Sequence, residues 1–326
     1  HYMTGDGNHH RMVEVDMMGN TIHNWDMLER GYTMHHAISQ DKQGNILATV
    51  SKTSAKIANG KDVRINDFII RMDPEKGEIL QEWDLVHMLD SARYGMTDYN
   101  LTADPYAQNA SNWAHNNGIV EWGNDYLATA RYQGIFKFNK AGGIEWIISP
   151  HGYWRDRYLK LLLNPLHADG TPITDPDVIA GTKNCDDFEW PWGCHTAVPL
   201  PNGHILYFNN GYGRNFKLDF ADRKNIYTCG IEYEVDEVNR TVRQVWQYGK
   251  ERGAAYFTPA RSGVQYLEQT GNRLICPGMS NMLSNGNRGA RVTEVDPETQ
   301  DVVFELELED AIYQRVYRMS LYPENQ

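Results

Sequence analysis

No apolar run in this 326-residue chain approaches the roughly 18 residues that a membrane-spanning helix needs, so no span is expected. Basic residues are in short supply: 31 Lys and Arg stand against 43 Asp and Glu, a formal net charge of −12 with His neutral. That excludes nucleic acid as a partner, because neutralising phosphates requires a basic face. A locally positive pocket is still compatible with an acidic protein, since pocket charge and net charge are separate quantities. Cysteine is scarce as well, and four residues cannot staple a domain of this size. Cys185 and Cys194 flank a Trp-rich loop and form a candidate disulfide, with two reduced thiols the alternative that spacing alone leaves open. Cys229 and Cys276 are expected to be buried in strands. The polar opening HYMTGDGNHH lacks a signal-peptide pattern and is read as a processed or trimmed start. No helix of any length separates the apolar segments, which excludes a parallel α/β sheet.

What is present is a pair of alternating hairpin types. One type reads as apolar alternation, an Asp or Asn, a short turn, and alternation again, often ending in Trp; it recurs at 12–25, 69–83, 135–147, 231–246 and 292–306. The other carries a Gly-centred turn and recurs at 36–50, 115–131, 195–210 and 262–278. Interleaved, they make a four-stranded antiparallel unit repeated every 60 to 80 residues or so, the logic of an all-β propeller. The count predicts a single propeller domain over 1–326 with five to six blades. The closing strand is expected at 316–323, and an N-terminal portion that includes part of a blade is expected to be missing. Short helices belong only in insertions, at 84–95 and 155–164. Residues 149–194 read as an insertion loop.

The turn glycines Gly44, Gly123, Gly203 and Gly271 align the second type of hairpin, and eight residues before them stand His36, His115, His195 and Gly263. Inner propeller strands line the axis, so this register brings three imidazoles to one mouth. A single histidine there is ordinarily structural; three in one register are not. Arg131 ends the strand returning to His115, and Asn117, two residues on from His115, is expected on the same strand face. Three His, an Arg and an Asn form a donor set suited to an oxyanion. Three His can also hold a metal, as in a propeller oxygenase or lactonase, but a neighbouring guanidinium and the lack of an Asp or Glu in register favour an anion. The Trp residues that end outer hairpins read as blade-to-blade packing, and Trp190 and Trp192 as pocket walls.

The segments MHHAISQDKQGNIL (34–47), WAHNNGIVEW with YLATAR (113–131) and WPWGCHTAVPLPNGHILYFNNGYGR (190–214) resemble the bacterial arylsulfate sulfotransferases, in order and over most of the chain. The resemblance implies a six-bladed propeller behind a small β-domain, which is expected to be missing from this sequence, exported to the periplasm or secreted, and homodimeric. It implies transfer of a sulfuryl group from a phenolic sulfate to a phenol, without cofactor. No phosphate-cradling loop of the nucleotide-dependent kind precedes a helix here. By the same resemblance His195 matches the nucleophile that becomes a sulfohistidine, His115, Asn117 and Arg131 match the second site motif, and His36 matches the first-blade histidine. Tyr317 and Arg261 are further candidates for substrate contact.

Overall fold

The computed structural model describes residues 2–4, 10–59, 62–93, 113–217, 221–280 and 289–310; for 2–4, 53–59 and 62–66 the backbone alone is described. A three-stranded sheet opens the chain: β1 (Tyr2–Thr4), β2 (Arg11–Val15) and β3 (Thr21–Asp26). The first blade is β4 (Thr33–Gln40), β5 (Ile46–Asn59), β6 (Asp62–Met72) and β7 (Ile79–Asp84), with helix α1 (Leu85–Met88) after it. The second is β8 (Asn116–Trp122), β9 (Asp125–Ala130), β10 (Gly134–Phe138) and β11 (Ile144–Ile148). Helix α2 (Asp156–Leu159), strand β12 (Asn164–Leu166) and helix α3 (Pro176–Ala180) occupy the insertion. The third blade is β13 (His195–Pro199), β14 (Ile205–Asn209), β15 (Cys229–Asp236) and β16 (Thr241–Tyr248), widened by β12 running parallel to β16. After helix α4 (Gly253–Tyr256), the fourth is β17 (Ser262–Tyr266), β18 (Arg273–Pro277), β19 (Gly289–Val295) and β20 (Val302–Glu309).

Local chemistry explains the repeat. Each outer hairpin turns on an Asp or Asn whose side-chain oxygen accepts two nearby backbone N–H groups: Asp16, Asp73, Asn139, Asp236 and Asp296. The Trp closing the hairpin then reaches the next unit. Trp83 Nε1 donates to the Lys140 carbonyl at 3.0 Å, and Trp146 Nε1 to Glu237 Oε1 at 2.8 Å. Trp25 packs over Gly77, where a Cβ would collide with the indole. The core accordingly lies between sheets. Met12 and Trp25 pack with Ile46 and Ile70, Leu47 and Trp83 with Ile119 and Phe136, Leu127 and Trp146 with Tyr207 and Ile231, and Phe208 with Val264 and Ile275.

The blade count corrects the expectation of five to six. All nine hairpins pair as read, but they build a four-bladed propeller of four-stranded antiparallel blades. The hairpin at 12–25 gains only β1, so it forms a three-stranded sheet stacked on the first blade instead of a blade of its own. The closing strand expected at 316–323 lies outside the described residues, as does Tyr317. Among the described residues no helix is long and apolar enough to cross a membrane.

Candidate active site

The inner strands β4, β8, β13 and β17 each carry a left-handed, non-glycine residue near the head: His36 at φ 52°, His115 at 53°, Thr196 at 41° and Arg261 at 61°. Such residues are uncommon, and for a β-branched Thr the conformation is a true outlier. In the first three blades the strain accompanies a bulge, where pairing slips between Met34 and Ile38, Asn116 and Gly118, and His195 and Ala197. The bulges turn the strand heads inward. Gly118 is required there, because a Cβ would collide with the Thr129 hydroxyl.

The result is a cluster of rings. The His36 and His115 centroids lie 4.6 Å apart, and His36 lies 6.2 Å from His195. Burial pushes the His115 imidazole well below its ordinary pKa, and His36, Arg131, His195 and His35 press it further in the same direction. His115 is therefore neutral at pH 7. Arg131 is 1% exposed; its backbone N–H donates to the His115 carbonyl at 3.0 Å, and its Nη2 to the Pro259 carbonyl at 2.8 Å. Its guanidinium rests over the Tyr212 ring, 4.5 Å from the centroid.

His195 is also buried, and its Nδ1 lies 2.6 Å from Asn210 Oδ1. The Asn210 amide has one orientation, because its Nδ2 donates to the Thr258 carbonyl at 2.8 Å and the Ser262 hydroxyl approaches Oδ1 at 3.3 Å. An oxygen thus faces Nδ1, which must carry the proton, and the lone pair falls on Nε2. Asn210 escaped the sequence reading, yet it follows the strand that returns to His195, as Arg131 follows the strand returning to His115. The adjacent Cys194 is inert, its thiol pushed up to about 12 by burial.

Other expected residues fall differently. Asn117 sits within the bulge, so simple alternation from His115 does not apply; its amide accepts from Thr129 Oγ1 and donates to the Cys194 carbonyl, both at 2.8 Å. Arg261 heads β17 half-buried, its carbonyl accepting from the Gly278 N–H at 2.8 Å. Cys185 and Cys194 stand as separate thiols: Cys185 Sγ lies 3.1 Å from Asp187 Oδ1, and Cys194 Sγ faces the Ala130 carbonyl at 3.9 Å. Trp190 and Trp192 are packed in the core with Phe188 and Phe216, not exposed as walls. Among the described residues, the one group of three side chains close enough to share a metal ion lies outside the histidine cluster.

A model of the family described as arylsulfotransferase (ASST) matches residues 1–318. The chain belongs to the arylsulfotransferase family. It is 29% identical over 340 residues to an arylsulfate sulfotransferase of Lelliottia amnigena, and 29% identical over 339 residues to one of Escherichia coli O6:H1 strain CFT073. Each alignment covers 94% of this chain and 56% of the relative, so the chain spans little more than half the length of either relative. A solved WD40 domain of SCAP from fission yeast covers 96% of the chain, and the chain covers 84% of it, but at a TM-score of 0.28 and 8% identity the likeness carries no weight.

Proposed function

We propose that this family member transfers a sulfuryl group from a phenolic sulfate ester to a phenol by a ping-pong route through a sulfohistidine at His195. The observation that carries the reading is the bond from His195 Nδ1 to Asn210, because it leaves Nε2 as the nucleophile inside a cluster of cationic and neutral donors. In the first half, Nε2 attacks sulfur, the N–S bond forms, the S–O bond to the aryl group breaks, and a phenolate leaves to take a proton from water. The sulfated ring keeps its Nδ1 proton and with it a positive charge, which Asn210 Oδ1 stabilises and which keeps the imidazole a good leaving group. Arg131, whose charge is felt at His115, stabilises the negative charge that grows on the sulfuryl oxygens and the departing phenolate.

In the second half an acceptor phenol attacks the same sulfur. Its proton passes to a neutral imidazole as the new S–O bond forms and the N–S bond breaks, restoring the lone pair on Nε2. Burial keeps His115 neutral and able to accept that proton, with His36 the neighbouring imidazole. Asn117, tied to the Cys194 carbonyl, positions the strand head that carries His195. Arg261 and Tyr317 are read as substrate contacts. The family resemblance further suggests an exported, periplasmic or secreted enzyme that pairs as a homodimer and uses no cofactor.

The test is the mass of the intact protein and its peptides after mixing with an aryl sulfate and no acceptor. One sulfuryl group on His195, discharged when phenol is supplied, is the expected result. Turnover with no adduct trapped at any time, or an adduct on another residue, overturns the sulfohistidine route.

A further inference from the structure

Away from the histidine cluster, three donors of different chemistry meet in the insertion of the third blade. His167 Nδ1, Cys185 Sγ and a carboxylate oxygen of Asp187 all lie within 4.8 Å of one another. His167 Nδ1 stands 3.0 Å from Asp187 Oδ1, and Cys185 Sγ 3.1 Å from the same oxygen. We propose that His167, Cys185 and Asp187 form a transition-metal site, suited to Zn(II), that clasps the turn after β12 to the segment leading into His195. A thiolate, an imidazole and a carboxylate are ligands that zinc accepts together, whereas calcium and magnesium take oxygen alone.

Both halves of the clasp are pre-set on one strand. β12 runs along β16, Arg243 Nη1 donates to the Ala168 carbonyl at 3.0 Å, and Gln244 Oε1 accepts from the Glu189 N–H at 2.9 Å. The Asp187 carboxylate is aimed by the Ala168 N–H, 2.9 Å from Oδ2, which leaves Oδ1 toward His167 and Cys185. Burial acts against the charged form of Asp187, but the Ala168 N–H, His167 and Cys185 outweigh it and hold the carboxyl down at about 2. Metal-free, the Cys185 thiol is raised by burial and by this carboxylate. A bound cation inverts that balance: the thiol loses its proton to water and the thiolate enters the coordination shell. The His167 and Asp187 side chains are 40% and 37% exposed, so a fourth position is open to water.

The whole reduced chain, stripped with a chelator and desalted, would be titrated with Co(II) and then Zn(II). The expected result is one Co(II) per chain with a thiolate-to-cobalt absorption band, displaced stoichiometrically by Zn(II). Cys185→Ser removes the band, and His167→Ala weakens binding at least about tenfold. In the parent protein Zn(II) also shields Cys185 from alkylation, a readout that needs no variant to fold. Absence of the band in folded protein, its persistence in Cys185→Ser, or unchanged alkylation with Zn(II) overturns the site. Metal held by the catalytic histidines would be lost in His195→Ala and kept in Cys185→Ser, the reverse of the pattern expected.

Discussion

His195 and His115 occupy the same register at the heads of neighbouring blades, yet their surroundings differ in kind. His195 is held through a directed hydrogen bond to an amide that Thr258 and Ser262, before and at the start of β17, fix in place. His115 is governed by desolvation and by the positive character of its neighbours. The first environment chooses a tautomer; the second suppresses a charge. Repetition of the blade supplies three equivalent imidazoles, and the differences between blades assign them different chemistry. A propeller is well suited to this, because each strand head meets side chains from its own blade and from its neighbours.

The sharpest test of that division is to remove each ring in turn. His195→Ala should abolish both half-reactions, with a loss of at least about 10³-fold and no covalent adduct. His115→Ala should spare the donor half: a burst of phenol release survives while transfer to acceptor slows. Equal loss of the burst in both variants would erase the distinction. Next in size is Arg131→Ala, expected to lower kcat/KM by roughly 10² to 10³ through lost charge stabilisation. Arg131→Lys should recover only part of this, since an ammonium cannot both reach the Pro259 carbonyl and stack on Tyr212 in the same way.

Asn210→Leu comes third, with an expected loss of about ten- to a hundredfold as the His195 tautomer is released. Asn210→Asp should restore much of the rate, because a carboxylate still accepts from Nδ1, and its charge should move the acid limb of the pH–rate profile to higher pH. A merely structural Asn210 would show neither the rescue nor the displacement. Equal rates for the Leu and Asp variants would therefore remove the tautomer from the argument.

Much of this was legible in the residues. Period-two alternation, Asp or Asn at each outer turn and a closing Trp are local signals with local causes, and all nine hairpins formed where they pointed. The histidine register was legible because turn glycines give a fixed origin for counting along a strand. The blade count was not, since it depends on whether the hairpin at 12–25 finds an inner pair, a long-range event that no local pattern encodes. Asn117 was assigned to the His115 face by alternation, which a bulge and a left-handed His115 interrupt. Asn210 had a usable signal: the return-strand rule that picked out Arg131, applied one blade later, lands beside His195. Trp190 and Trp192 read as pocket walls because they sit in the loop leading to His195, but α3 and Phe216 cover them.

The smallest expected effect concerns stability. Folding lowers the pKa of His115, so the unfolded chain takes up the proton first as pH falls through about 6.5. Protonation then favours the unfolded state, and stability is lost as pH drops below about 6.5 toward the folded pKa, by at most about 1.4 kcal/mol per pH unit for one proton. His151, lowered by burial, contributes in the same window, whereas Asp187, held at about 2, matters only in stronger acid. Denaturant midpoints of the parent and His115→Gln, taken between pH 8 and 5, separate these groups. The variant should lose part of the slope below pH 6.5 and keep the remainder due to His151. An unchanged slope would mean that His115 is protonated as readily in the fold as in the unfolded chain, and would remove the ground for treating it as the neutral partner of His195.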